Sequence, residues 1–195
     1  MGPRLRGDDR QMKSYLCGPL TRFGVIVAAL ACLIDQASKL YLLRVVDLAA
    51  HGPIRLGAYF DLILTRNTGI SYGLFQTTGP LGAWVLLGVK TVAVALLWVW
   101  LARARDRLTA LSLGLIIGGA IGNGIDRLAY GWVADFVYFH ITTANWRFSW
   151  YVFNLADAAI VAGVVGLLYE SLRGDGAAKR PRSAAIHDRR SDADH

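Results

Sequence analysis

Charged side chains are scarce in this chain: Asp, Glu, Lys and Arg make up 18% of its 195 residues, against roughly 25% in an ordinary water-soluble domain. Cysteine is scarcer still. Cys17 and Cys32 are the two present, which excludes a disulfide framework and a thiolate metal cluster. The four histidines, His51, His140, His187 and His195, are scattered, and none has a partner at metal-ligand spacing. No His-Glu-x-x-His zinc motif and no Gly-x-Ser-x-Gly nucleophile elbow occurs, so zinc-peptidase and serine-hydrolase chemistry lack local support. Lys90 has no companion Ser/Lys motif and reads as a helix-interface or snorkelling residue. No nucleic-acid-binding motif accompanies the net charge of +7, which weighs against a nucleic-acid partner.

Apolar residues are in excess. They form 54% of the chain, give a mean hydropathy of +0.39, and stand in blocks rather than alternating with polar residues. A helix needs about 20 consecutive apolar residues to cross a bilayer. Four segments qualify, near residues 22–45, 80–101, 108–125 and 152–172, with Pro80 suited to the first turn of the second. The basic start (Arg4, Arg6, Arg10, Lys13) before an apolar stretch from Phe23 resembles a secretory signal. A signal's apolar core spans only about 7–15 residues, whereas this stretch passes Asp35 and Lys39 and resumes at Leu40, so it reads as a retained helix. Basic residues flank the N-terminus, the segment Arg103–Arg107 and the tail after Arg173, all on one side of an even number of spans. The positive-inside rule makes that side, with both termini, cytoplasmic.

The expected architecture is an all-α membrane protein of four transmembrane helices. Residues 1–21 form a basic cytoplasmic extension, 22–172 the membrane domain, and 173–195 a charged cytoplasmic tail of disorder-prone composition. Loops 46–79 and 126–151 then face outward. Residues 56–66 have strand-like composition, and the aromatics of 132–152 suit a membrane–water interface.

Polar residues inside such segments are costly, at least about 2.5–3.5 kcal/mol for a central Asp or Lys, and so mark function. Asp35 and Lys39, four apart on one helical face, read first as a neutralising structural pair. Asn67, followed by Gly69 and Gly73, is either a turn before a helix or a polar contact set beside a close backbone approach. Asn123, Asp126 and Arg127 share one face at the end of a glycine-rich helix, where a local Asp126–Arg127 pair is the plain alternative. Asp135 sits in an aromatic run with no basic neighbour in sequence. Asn154 and Asp157 open the last helix three residues apart, where an acid could simply complement the helix dipole. Should Asp135 and Asp157 converge, two like charges in a low-dielectric site would share a proton. One carboxylate could then activate water while the other, protonated, polarises a carbonyl.

Five blocks carry a resemblance: Asp35-Gln-Ala-Ser-Lys39, Asn67-Thr-Gly-Ile-Ser-Tyr-Gly-Leu-Phe75, Gly118-Gly-Ala-Ile-Gly-Asn-Gly-Ile-Asp-Arg127, Val133-Ala-Asp-Phe136 and Phe153-Asn-Leu-Ala-Asp157. In this order, over roughly residues 23–172, the chain resembles the bacterial lipoprotein signal peptidases (signal peptidase II). That resemblance implies a monomeric aspartic endopeptidase of the inner membrane that cleaves diacylglyceryl-modified prolipoproteins before the lipidated cysteine. It implies Asp135 and Asp157 as the catalytic pair, and Asn67, Asn123, Arg127 and Asn154 as the residues around it that hold substrate. Asp35, Lys39, Asp126 and Gly69 match supporting positions. A small extracytoplasmic β-sheet cradle, fitting residues 46–66, globomycin-type inhibition, contact with membrane lipid and no metal or cofactor are also implied. Two readings compete with it. A proton or ion pathway would favour broken mid-membrane helices and related repeats, and neither occurs in this sequence. A non-catalytic scaffold assembled through the glycine-rich helix leaves Asp157 unexplained.

Overall fold

The computed structural model describes residues 17–68 and 80–178, with side chains for 17–68 and 88–173. The elements in chain order are α1 (Thr21–Arg44), α2 (Leu48–His51), β1 (Ile54–Arg55), β2 (Phe60–Asn67), α3 (Pro80–Arg103), α4 (Arg107–Tyr130), β3 (Val133–Thr142), β4 (Arg147–Ser149) and α5 (Leu155–Ala178). Three helices, α1, α4 and α5, contain segments long and apolar enough to cross a membrane, and α3 has the same 24-residue length.

The helix ends follow local chemistry. Asp106 caps α4, its carboxylate accepting from the Thr109 N–H at 2.8 Å, a side-chain acceptor for an otherwise orphaned donor. Gly131 takes a left-handed φ of 76° and donates to the Arg127 carbonyl at 3.1 Å, which closes the helix. The helix therefore runs past the expected end near 125 and carries Asn123, Asp126 and Arg127 on regular turns. The last helix runs to Ala178, so the backbone stays helical beyond Arg173, where the tail is expected to begin.

Polarity is partitioned in reverse of a soluble protein. Asp35, Lys39, Asn123, Asp126, Asp135 and Asn154 are buried, while Ile26, Leu30, Leu33, Val92, Leu96, Val161 and Leu168 are exposed. Lipid solvates such a surface as well as a protein core would, so helix association relies on close packing and polar contacts. The central helix is α4, packed between α1 and α5 and touching α3. Its glycines admit the neighbours. A Cβ at Gly122 would stand 2.6 Å from Asp35 Oδ2, and one at Gly119 would stand 2.5 Å from the Ala156 carbonyl oxygen. Gly118 faces the Ala28 carbonyl in the same way, whereas Gly124 meets open space.

The outer segments form one antiparallel four-stranded sheet in the order β1-β2-β3-β4. It is larger than the cradle expected from 46–66, because the aromatic stretch 133–149 supplies two of its strands. Side chains alternate between faces along β3. Phe139 belongs to an aromatic row with Phe60, Phe148, Trp146 and Trp150, whose neighbouring ring centroids lie 5.2–6.3 Å apart. Tyr138 and His140 point the other way, into a cavity of about 440 Å³ bordered by Arg55, Asp61 and Arg147. The sheet is thus amphipathic, one face aromatic and the other polar.

Candidate active site

A bridge between the sheet and the last helix creates the site. Phe153 pairs with Val137, its N–H donating to the Val137 carbonyl at 3.0 Å and its carbonyl accepting from Phe136 and Val137 at 3.1 and 2.8 Å. This pins the residue just before α5 onto β3. Asn154 then becomes the N-cap of α5 with Asp157 at the third helical position. Asn154 Oδ1 accepts from the Asp157 N–H at 3.0 Å, and Asp157 Oδ2 accepts from the Asn154 N–H at 3.2 Å. This is a reciprocal capping box.

Asn154 also reaches across to the strand. Its Nδ2 donates to Asp135 Oδ1 at 2.6 Å and to Asn123 Oδ1 at 3.1 Å. Asn123 Nδ2 donates to Asp157 Oδ1 at 2.8 Å, and Asn67 Nδ2, from the end of β2, donates to Asp135 Oδ2 at 3.0 Å. Asp135 and Asp157, 22 positions apart in the sequence, are therefore held in one hydrogen-bonded cluster by three asparagines from three elements. Asp135 is buried (3% exposed) and Asp157 is half-buried. Burial pushes the Asp135 carboxyl above the ordinary carboxylate range. The Asp157 charge adds to the rise, while the hydrogen bonds from Asn67 and Asn154 and the Lys39 charge oppose it.

Beneath the pair lies a second polar layer. Lys39 Nζ is 2.8 Å from Asp35 Oδ2, 2.9 Å from Asp126 Oδ2 and 3.1 Å from Asn123 Oδ1. The expected Asp35–Lys39 pair thus forms, but Asp126 pairs with Lys39 and not with adjacent Arg127. The Arg127 guanidinium donates to the Asn123 carbonyl oxygen at 3.1 Å and lies within electrostatic reach of Asp135, Asp157 and Asp126. Gly69 lies outside the described residues.

Two contributors escape the sequence reading. Gln36 Nε2 donates to Asp126 Oδ1 at 2.9 Å and to the Gly122 carbonyl at 3.0 Å, tying α1 to α4. Its place next to Asp35, three before Lys39, was the available signal. Lys90 of α3 lies within electrostatic reach of Asp157 and Arg127, a closeness that no sequence-local pattern reveals.

Comparison with known proteins gives the family. Residues 27–173 match the family described as Signal peptidase (SPase) II. The lipoprotein signal peptidase of Nitrobacter hamburgensis is 58% identical over 160 residues, covering 82% of this chain and 98% of that protein.

The chain belongs to the signal peptidase II family.

Another signal peptidase II relative, the lipoprotein signal peptidase of Rhodopseudomonas palustris strain TIE-1, is 52% identical over the same length, again covering 82% of this chain and 98% of its own. Among solved structures, a bacterial membrane enzyme determined in meso at 2.3 Å superposes with a TM-score of 0.62 at 19% identity, covering 82% of this chain and 93% of that one. The fold is therefore shared with a bacterial membrane enzyme, and this signal peptidase II chain is an integral membrane protein.

Proposed function

We infer that this chain is an aspartic endopeptidase that removes signal peptides from diacylglyceryl-modified prolipoproteins, with Asp135 and Asp157 as its catalytic dyad. The observation that carries the reading is the asparagine-bridged pair of carboxylates, one buried and one partly open, in a chain of the signal peptidase II family. Charge supports it further. Four aspartates (35, 126, 135 and 157) gather with three basic residues (Lys39, Lys90 and Arg127), and burial pushes the Asp135 carboxyl up, toward its protonated form. That is the protonation state acid–base hydrolysis needs.

In the reaction, the ionised carboxylate takes a proton from a water whose oxygen attacks the scissile carbonyl carbon. The protonated partner donates to the carbonyl oxygen. Collapse of the tetrahedral intermediate breaks the C–N bond, and the proton passes to the leaving amine of the lipidated cysteine. Asn67, Asn123 and Asn154 orient the carboxylates, and together with Arg127 they are read as the residues that hold the substrate backbone. No cofactor enters this scheme.

The helices α1, α3, α4 and α5 are read as four spans, with both termini cytoplasmic and residues 22–172 forming the peptidase domain of a monomer. The exposed aliphatic surface of these helices supports the spans, and the aromatic face of the sheet supports contact with the outer leaflet. A lipid-anchored substrate would then approach laterally at the depth where water is still present.

The deciding experiment is cleavage of a diacylglyceryl-modified precursor by purified enzyme, with and without globomycin. Wild-type enzyme is expected to cleave and globomycin to block it, while Asp135→Asn and Asp157→Asn lose at least about 100-fold in rate, the lower range of acid–base contributions. Wild-type rates in either variant would remove the dyad.

A further inference from the structure

The charge of Lys39 is buried (2% exposed) and used completely, because its ammonium has three protons and three acceptors within 3.1 Å. Those acceptors have a common property beyond neutralising it. Asp35, which it holds through Oδ2, accepts the Ala156 N–H on Oδ1 at 2.9 Å. Asp126 accepts the Ala134 N–H on Oδ2, the same oxygen that faces Lys39, at 3.1 Å. Ala156 immediately precedes Asp157, and Ala134 immediately precedes Asp135. The third acceptor, Asn123, donates directly to Asp157. All three contacts of one ammonium therefore end one bond, or one peptide unit, from a dyad residue.

We propose that Lys39 is a positioning residue that sets the spacing of the dyad, by clamping together the two carboxylates that grip the backbone N–H groups directly before Asp135 and Asp157. The proposal rests on the dyad reading above.

The physical case has two parts. A salt bridge needed only to neutralise Asp35 would be complete with its partner four residues away on the same helix. Lys39 instead spans α1 and α4, and through the carboxylates it reaches the first turn of α5 and the start of β3. The dyad residues themselves belong to different elements, a strand and a helix; Asn154 joins their side chains directly, and the Lys39 clamp holds the backbone before each of them from beneath. Two like-charged carboxylates that share a proton repel each other once that proton leaves, and a rigid clamp behind them resists the separation. Lys39 is enclosed beneath the site and does not face substrate, so its loss should act on the chemical step.

The test compares wild type, Lys39→Gln and Gly122→Ala in nanodiscs on a diacylglyceryl-modified precursor peptide. Thermal unfolding gives the folded fraction, so that rates are expressed per folded enzyme. Gly122→Ala keeps every charge but places a Cβ 2.6 Å from Asp35 Oδ2, displacing one arm of the clamp. Both variants are expected to lose about 100-fold in kcat, the scale of an ångström-sized misplacement, with KM unchanged. In both, the pH–rate profile should also shift, because the separation of the two carboxylates sets how they share a proton. The groups facing the dyad in that profile are Asp35 and Lys39 of α1, Lys90 of α3, and Asp126 and Arg127 of α4. A merely structural role would lower the folded fraction and leave kcat and the profile untouched. Wild-type kcat and profile in the folded molecules of either variant overturn the proposal. Should Lys39→Gln fail to fold, Asp126→Asn, which drops the charge that Lys39 grips, replaces it beside Gly122→Ala, with the same outcomes. An inactive wild type would instead overturn the dyad reading itself, a result distinct from active wild type with unaffected variants.

Discussion

Asn154 Nδ2 donates to Asp135 Oδ1 at 2.6 Å while the Asn154 backbone N–H donates to Asp157 Oδ2 at 3.2 Å. One residue therefore holds both carboxylates, through different atoms and with different consequences for the fold. Asp157 is part of a helix cap, and Asp135 is a buried acid in a strand.

This asymmetry separates the two dyad variants by stability. Asp157→Asn weakens the capping box and removes a charge that favours the N-terminal end of α5, together worth about 1 kcal/mol. Asp135→Asn removes a charge that burial disfavours. In thermal unfolding of the detergent-solubilised protein, Asp157→Asn should melt below wild type and Asp135→Asn at or above it, although both are expected to lose activity. Equal loss of Tm in the two variants would contradict the geometry.

The raised Asp135 carboxyl also sets a pH dependence. Between the ordinary carboxylate range and its own higher value, the folded protein binds more protons than the unfolded chain, so stability falls as pH rises through that window. For catalysis by the proposed dyad the direction is opposite: a raised Asp135 carboxyl keeps its proton to higher pH, which is expected to move the alkaline limb of the rate profile up from the carboxylate range of about 4. Chemical denaturation of wild type and Asp135→Asn across this window should show the stability slope in wild type and a weaker one in the variant.

Glycines two residues apart on α4 should respond in opposite ways. Gly122→Ala overpacks against Asp35, at a cost of about 1–3 kcal/mol. Gly124→Ala meets nothing within 4 Å and gains helix propensity of up to about 1 kcal/mol. Melting temperatures of the pair provide the check, with Gly124→Ala at or above wild type.

Replacing Trp146 and Trp150 with Ser removes exposed rings from the aromatic face of the sheet. The double variant should raise KM for a lipid-modified precursor in nanodiscs severalfold and leave kcat nearly unchanged. A fall in kcat at constant KM would mean the sheet supports chemistry and not approach.

How far the sequence anticipates this structure depends on the distance over which each signal acts. Asp35 and Lys39 are legible because four residues make one helical turn, and Asn154 and Asp157 because three residues make a cap. Costly acids without sequence-local counter-charges single out Asp135 and Asp157, and the family resemblance points to the same two, but their meeting in one cluster is not legible from spacing. The partner of Asp126 is not legible, since the nearest cation in sequence is Arg127 and the one it pairs with is Lys39, on another helix. The second half of the sheet was hidden for a different reason. Its aromatic content suggested an interface, and that masked the alternation of Val137, Phe139 and Ile141 with Tyr138, His140 and Thr142, which is the period of a strand.

Because Asp157 accepts the amide proton of Asn154, the start of α5 registers the chemistry. The electrostatic surroundings of that carboxylate are felt directly by one particular peptide group. An isotope-labelled Asn154 amide is thus a built-in indicator of charge at the dyad, readable by its resonance frequency in a working enzyme without a dye or an inhibitor.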